Sequence, residues 1–512
     1  MTVHTINDAD FIKFLSPHVR SLINISRYLA NHSEPRTIIT RPLLMKFLAQ
    51  ATKAEELLDM YGASRNRNWS EFRMLVATIK RFSDVSYELI HIRKSLPHYR
   101  LLTGVEEFGR ATDDIIRFTG RVLTNAAKAL AEYSDALGFT ISPRQYRDED
   151  YYENLIIGRL AKNFENLKNA DVAKEVALLS TKFLGLAANF DLRNIIEAQS
   201  PKDYDSYMYS PISEENFLFL EQSFHRLQSL YDTRVSRTNT ENEDKDLIVL
   251  RGHISVVMHI LRVASSLTHF YERHLGTQRS LLAPTGDSLV TSITLLLYIN
   301  SYSVYYLKHF VLSARLLCQE MLRRYAQDTE IELPIPVFRG FHVRPTVLVS
   351  AIVKHYGSKV TAEYDGVEYD PETPLSMFSL NEFVNQKKRD HISHIINDLE
   401  EVNKVYKDGE LENKCRDMLY QLYSENKIVI YSQPLQLSKM LSDDLTLRQN
   451  LTEEIKRQMQ IGCLDVVKEY KVKFKGDQRV LDDIKLLAEC GYGEDPMGHN
   501  IPLPDRLRYL RR

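Results

Sequence analysis

A proline three residues after a histidine constrains this chain more sharply than any other feature. It occurs in Gly340-Phe341-His342-Val343-Arg344-Pro345-Thr346. Proline carries no N–H and is tolerated in the first turn of a helix, so the chain is expected to become helical here. His342 then stands at the helix start, beside backbone N–H groups without intrahelical partners and beside Arg344. Those amides and a guanidinium make an anion site next to a nucleophilic ring nitrogen. The arrangement suits a histidine that accepts a phosphoryl group.

The flanking residues support that placement. Val347 to Tyr356 supplies about three helical turns and is ended by Gly357. Lys359 to Tyr364 reads as a strand, Asp365-Gly366 as a two-residue hairpin turn, and Val367-Glu368-Tyr369 as the returning strand. Upstream, Ile331, Leu333 and Ile335 alternate with Glu332 and Pro334, which suits an edge strand. Pro374-Leu375-Ser376-Met377-Phe378 opens a further helix.

With these residues in order, residues 329–380 resemble HPr, the histidine phosphocarrier of the phosphoenolpyruvate-dependent phosphotransferase system. The family's Gly-Leu-His-x-Arg-Pro stands here as Gly340-Phe341-His342-Val343-Arg344-Pro345, and its hairpin as Tyr364 to Gly366. The resemblance implies an open-faced βαββαβα sandwich, His342 as phosphoacceptor and Arg344 as its charge-neutralising partner. It implies an enzyme I-type phosphoryl donor and a further acceptor protein. Ser376 matches the position that a regulatory kinase modifies in some HPr proteins. Val343 stands where the family usually has Ala or Thr.

The chain has 512 residues, enough for two to four domains. Its net charge is −2, with Lys+Arg and Asp+Glu nearly balanced, so no bulk electrostatic drive towards nucleic acid or an anionic membrane follows. Cys318, Cys415, Cys463 and Cys490 are scattered, with no CxxC pair, which reads as a reducing cytoplasm. The N-terminus lacks a basic region followed by an apolar run and is not read as a secretory signal. Ser288 to Leu307 has no charged residue, but Asn300, several serines and four tyrosines interrupt it. A buried helix is expected there rather than a membrane span.

The fold expected is predominantly α, a helical bundle or array, with an embedded α+β HPr-like sandwich near residues 329–433. Residues 1–200 form a helical domain, and 201–328 a second helical region with a buried apolar helix. Phe72, Leu75, Val76, Ile79 and Phe82 mark one helix face, and Val257, Ile260, Leu261 and Ala264 another. Breaks are expected at Ser33-Glu34-Pro35, at Ile141-Ser142-Pro143, from Gln199 to Glu215 and from Gly276 to Asp287. The best linker candidate is Arg234 to Asp246. A helical insertion is expected at about 386–426, followed by Lys427-Ile428-Val429-Ile430-Tyr431-Ser432 as the closing strand of the sandwich. Residues 434–512 are expected to form a mainly helical tail with an extended end at Pro502 and Pro504.

Other candidate chemistry is weaker. His253, His259, His269 and His274 share one region, and His391 and His394 another, but neither has a His-Glu-x-x-His arrangement or a cysteine pair. No metal and no cofactor are expected. Gly491-Tyr492-Gly493 with Gly498 has the wrong spacing for a dinucleotide fingerprint, and no Gly-x-x-x-x-Gly-Lys occurs. Tyr204, Tyr207 and Tyr209 cluster in a loop, and Arg506, Arg508, Arg511 and Arg512 read as a solvated basic terminus. The functional expectation is a phosphocarrier or phosphorylation-dependent regulator acting through His342, without independent catalysis. The alternative is a structural or interaction protein in which an HPr-like fold serves for docking.

Overall fold

Long amphipathic stretches dominate the chain, and most of its described residues are helical. The computed structural model describes residues 5–31, 39–142, 144, 146, 151–153, 155–156, 160, 169–188, 190, 212–275, 280–282, 288–432, 435–437 and 441–510. The breaks expected around Pro35, Pro143 and Pro201, most of the 276–287 loop, the three loop tyrosines, Arg511 and Arg512 lie outside these. Two compact units are present, Met1–Cys318 and Gln319–Arg512.

The first unit is a helical assembly of α1 (Asp8–Ala30), α2 (Arg41–Met60), α3 (Ser70–Ser95), α4 (Val105–Ala136), α5 (Val172–Ala188), α6 (Glu214–Arg234) and α7 (Asp246–Phe270). Helix α3 packs on α2, α4 and α7, and α7 packs on α6. The expected faces are inside, since Phe72, Ile79, Phe82, Val257, Ile260 and Leu261 are all buried. Arg234 to Asp246 does not separate domains. It is a short connection with one helical turn at Thr240–Glu243, and it returns the chain from α6 to α7.

Ser288 to Leu307 departs from the single helix expected. It begins as β2 (Ser288–Thr291), paired with β1 (Ser280–Leu282), and continues as α8 (Ser292–Tyr298). It then widens into π-type turns at Ile299–Val304 before α9 (Tyr305–Arg324). The Asn300 and Ser301 side chains bond to the carbonyls of Leu296 and Leu297, competing with the regular helical ladder. Among the described residues one helix is long and apolar enough to cross a membrane, Asp246–Leu275. Its most apolar 18-residue window has a mean hydropathy of 1.6, and 72% of that window is buried within the protein.

The second unit is built on a four-stranded antiparallel sheet. Its chain order is β3 (Asp328–Pro334), α10 (Val343–Tyr356), β4 (Val360–Tyr364), β5 (Val367–Tyr369), α11 (Pro374–Asn397), α12 (Asp408–Ser424), β6 (Ile428–Ile430), α13 (Leu447–Ile461), β7 (Leu464–Val466), β8 (Lys471–Asp477) and α14 (Gln478–Glu489). The spatial order is β3-β8-β4-β5. Asp365 and Gly366 both take positive φ, as the tight hairpin requires. Ile331, Leu333, Val472, Phe474, Val360 and Ala362 share one sheet face, where α11 and α14 lie and α10 packs against both helices. On the other face Glu330 pairs across to Lys475, and Glu332 to Lys473, so opposite charges meet across the strands.

Three expectations about this unit are corrected. Lys427–Ser432 does not close the main sheet: β6 pairs with β7 in a separate two-stranded ribbon, and the fourth strand is β8. Residues 434–512 are therefore not a mainly helical tail, because they supply the sheet's central β8. The region from Gln386 does not begin a new helix either, since α11 runs unbroken to Asn397. The inserted α12, β6, α13 and β7 have their own core, in which Leu419, Leu422, Ile428, Leu451, Ile455 and Leu464 pack against Ile392 and Ile396 of α11.

Buried histidines of the first unit make its stability depend on pH. Burial pushes His253 down from the ordinary 6.5 to about 4, and burial with Arg73 nearby pushes His274 to about 3. Between pH 6.5 and those values the unfolded chain binds protons that the folded chain refuses. Stability is therefore full above pH 6.5 and falls as pH drops, by about 1.4 kcal/mol per pH unit for each histidine. Trp69, the single tryptophan, is buried in this unit and reports its unfolding. Urea titrations followed by its fluorescence at pH 7, 6 and 5 should show the decline, and His253→Gln or His274→Gln should each flatten it.

Candidate functional site

The His342 loop is shaped by two consecutive left-handed residues and one asparagine. Arg339 has φ 55° and Gly340 φ 63°. A Cβ on Gly340 would overlap Asn381 Oδ1, so both the backbone and the space call for glycine. Asn381, on α11, accepts from the Phe341 N–H at 2.8 Å and donates to the Arg339 carbonyl at 3.2 Å. Phe341 is fully buried, edge-on to Phe474 and Tyr492. Thr346 closes the turn, its hydroxyl donating to the Phe341 carbonyl and its N–H to that of His342.

His342 is the residue immediately before α10. Its backbone is extended and its side chain makes no capping bond. Thr346 is the first intrahelical donor, and Pro345 has no N–H, so the amides of Val343 and Arg344 remain at the positive helix end. The imidazole is one-fifth exposed.

A residue not singled out from sequence completes the site. Glu494 Oε2 lies 2.8 Å from His342 Nε2, and Glu494 Oε1 lies 3.8 Å from Arg344 Nε. The Glu494 carboxylate is only 7% exposed. Gly491-Tyr492-Gly493, which has no dinucleotide-binding spacing, is the turn that delivers it: all three residues have positive φ. Tyr492 is buried and its hydroxyl donates to the Pro334 carbonyl at 2.8 Å, which secures a conformation unusual for a side-chain-bearing residue. Gly493 packs under Leu348 and Arg344. Beyond Glu494, the Asp495 carboxylate gathers the N–H groups of Met497 and His499 and the His499 ring, which hold it below the usual carboxylate range. Phe338 meets His342 edge-on at 5.4 Å and packs over Gly498.

An ionised carboxylate can only accept, so its bond to Nε2 places the ring hydrogen there. In its neutral form the imidazole would then carry its lone pair on Nδ1, for which no hydrogen bond is seen among the described residues. Arg344, the other residue expected here, faces Glu494, and its buried Nε makes no hydrogen bond. The structure thus brings His342 and Arg344 together, but around an internal carboxylate. The paired glycines at 491 and 493 marked a tight turn in the sequence. Nothing local marked its spatial partner.

Ser376 is the third residue of α11, whose cap position is Thr373. Its hydroxyl accepts from the Asp370 N–H at 2.8 Å and ties the preceding loop to the helix. The histidines of α7 and its end point to separate partners: His253 to the Val249 carbonyl, His259 to Glu88, His269 to Glu214 and Arg81, and His274 to Arg73. Among the described residues no group of three or more His, Cys, Asp or Glu could hold a metal ion. Arg506 is not a loose basic terminus: it pairs at 2.6 Å with buried Asp483, which also accepts from Tyr356 and Tyr509.

Asn381→Ala leaves the Phe341 N–H without its acceptor, at a cost of about 1–3 kcal/mol. Hydrogen exchange at Phe341 should accelerate at least about tenfold, and Gly340→Ala, which adds both overlap and strain, should lower stability further. Compared with known proteins, the chain matches no protein-family model, no curated protein and no solved structure.

Proposed function

We propose that His342 accepts a phosphoryl group from an enzyme I-type donor protein, and that the chain is a phosphocarrier or phosphorylation-dependent regulator with an HPr-like module. One observation carries this reading: the buried Glu494 carboxylate lies 2.8 Å from His342 Nε2, a contact that favours the ring hydrogen there and so Nδ1 as the nucleophile. Further support comes from the element order strand, histidine loop, helix, hairpin, helix and, after the intervening α12 to β7, strand and helix, and from the helix start at His342.

The chemistry needs no independent catalyst. Phosphoryl transfer depends on positioning and charge stabilisation. The Nδ1 lone pair attacks phosphorus, the donor's bond to phosphorus breaks, and that electron pair leaves with the donor. The ring gains positive character during attack, which Glu494 stabilises through Nε2–H. The amides of Val343 and Arg344 receive the phosphoryl oxygens, and Arg344 shares its charge between them and Glu494. Ser376, half-buried at the start of α11, is the proposed regulatory position. A cytoplasmic site of action fits the four free cysteines.

The second reading is a docking module that is never phosphorylated. The observation in its favour is that Glu494 already engages both His342 and Arg344.

Incubation with phosphoenolpyruvate and enzyme I separates the two. The carrier reading expects an acid-labile phosphoryl group on the wild-type chain and none on His342→Ala. Glu494→Gln loses the obligate acceptor at Nε2 and should label about tenfold or more slowly. Absence of label under conditions that modify authentic HPr would establish the docking reading instead.

A further inference from the structure

Resting on His342 as the phosphoryl acceptor, we propose that the cavity beside it is a binding subsite for a small phosphorylated anion, with Arg339 as its cation. The cavity holds about 220 Å³ and is lined by Arg339, His342, Asn381, Asn385, Arg389 and Gln460, with Glu382 and Asp465 in its wall. That is space for about seven waters at ~30 Å³ each. Pockets for drug-sized ligands run to ~300–1,000 Å³, so inorganic phosphate or a short-chain phosphomonoester fits and a nucleotide does not. Neither Glu494 nor Arg344 lines it. The cavity thus adjoins His342 without including the carboxylate that the ring contacts.

The charges in the wall are unequal. Glu382 is paired with Arg389 at 2.7 Å, and Asp465 with buried Lys388 at 2.6 Å. Arg339 remains as the surplus cation, since its guanidinium has no ion pair or hydrogen bond among the described residues. It lies flat on Gly462, where an added Cβ would stand 2.5 Å from Cζ. Gly462 is the C-cap of α13, and the negative end of that helix favours a cation there. The Arg339 backbone is itself fixed in the left-handed region, with its carbonyl held by Asn381. Asn385 and Gln460 offer amide donors that make no hydrogen bond to the described residues. The inserted segment supplies Met459, Gln460, Leu464 and Asp465, so it builds the wall that turns the histidine's surroundings into an enclosed site.

The test is binding by the full chain, with no donor protein present, of inorganic phosphate and of glycerol 3-phosphate, with acetate at matched ionic strength as the control. Calorimetry should show saturable binding of one or both phosphates but not of acetate, and phosphate should shift the His342 Cε1–H resonance in the unaltered protein. Arg339→Gln should weaken binding at least tenfold, while Arg344→Gln should change it less than threefold. No saturable binding at millimolar phosphate, an unmoved His342 resonance, or equal loss in the two variants would each overturn the subsite. Label from phosphoenolpyruvate and enzyme I without phosphate binding would refute the subsite and keep the carrier. Binding without label would keep the subsite and refute the carrier.

Discussion

A carboxylate taken out of water must be met by a donor or a counter-charge, and Glu494 has the His342 ring at 2.8 Å and the Arg344 guanidinium at 3.8 Å. That requirement organises the site. It favours hydrogen on the Nε2 nitrogen of His342, and it joins the 491–494 turn to two residues at the start of α10. Within the 491–493 turn the strain falls on Tyr492, where a left-handed side-chain-bearing residue costs on the order of 1–3 kcal/mol. Complete burial of its ring and the bond to the Pro334 carbonyl oppose that cost, and glycine on either side avoids it.

The sheet admits a long connection before its last strand because that strand has partners on both edges. β8 lies between β3 and β4 and supplies Val472 and Phe474 to the core. The entropy of closing a loop rises only slowly with its length, so placing α12 to β7 before β8 is tolerated. The insertion is not a loose appendage. Ile392 and Ile396 carry the α11 face straight into its core, and the buried Lys388–Asp465 pair joins α11 to β7. A buried pair of this kind contributes little net stability but specifies how the parts dock. Here it holds the cavity wall against the histidine loop.

What could be read from the sequence was local. Pro345 and Gly357 bracket α10, Asp365-Gly366 makes the hairpin, and alternation marks β3, because each depends on backbone preferences within a few residues. The closing strand was misplaced for a physical reason. Ile428-Val429-Ile430 has the branched residues that strands favour, whereas Lys471-Val472-Lys473-Phe474-Lys475 hides its alternation behind three lysines. Those lysines belong on the open face opposite Glu330, Glu332 and Glu363, an assignment that only the pairing register supplies. Glu494 lay beyond reach for the same reason, being 152 positions from the histidine it touches. The linker expected at Arg234 to Asp246 had a linker's polarity, but packing of α6 on α7 makes it a helix connection.

The contact that prepares the imidazole also opposes what it would become. A phosphoryl group on Nδ1 adds up to two negative charges across the ring from a carboxylate that has little access to water. At a separation of ~6 Å and an effective dielectric near 20, that repulsion is about 5 kcal/mol. Arg344 stands 3.8 Å from Glu494 without a hydrogen bond from Nε, so its charge is shared rather than committed. Arg339 on the cavity side adds a second cation with no carboxylate of its own. Were His342 to carry a phosphoryl group as proposed, its lifetime would be governed by the balance between one fixed anion and two guanidiniums. The unmodified state, in which Glu494 has donors and no competitor, is the one that this packing favours.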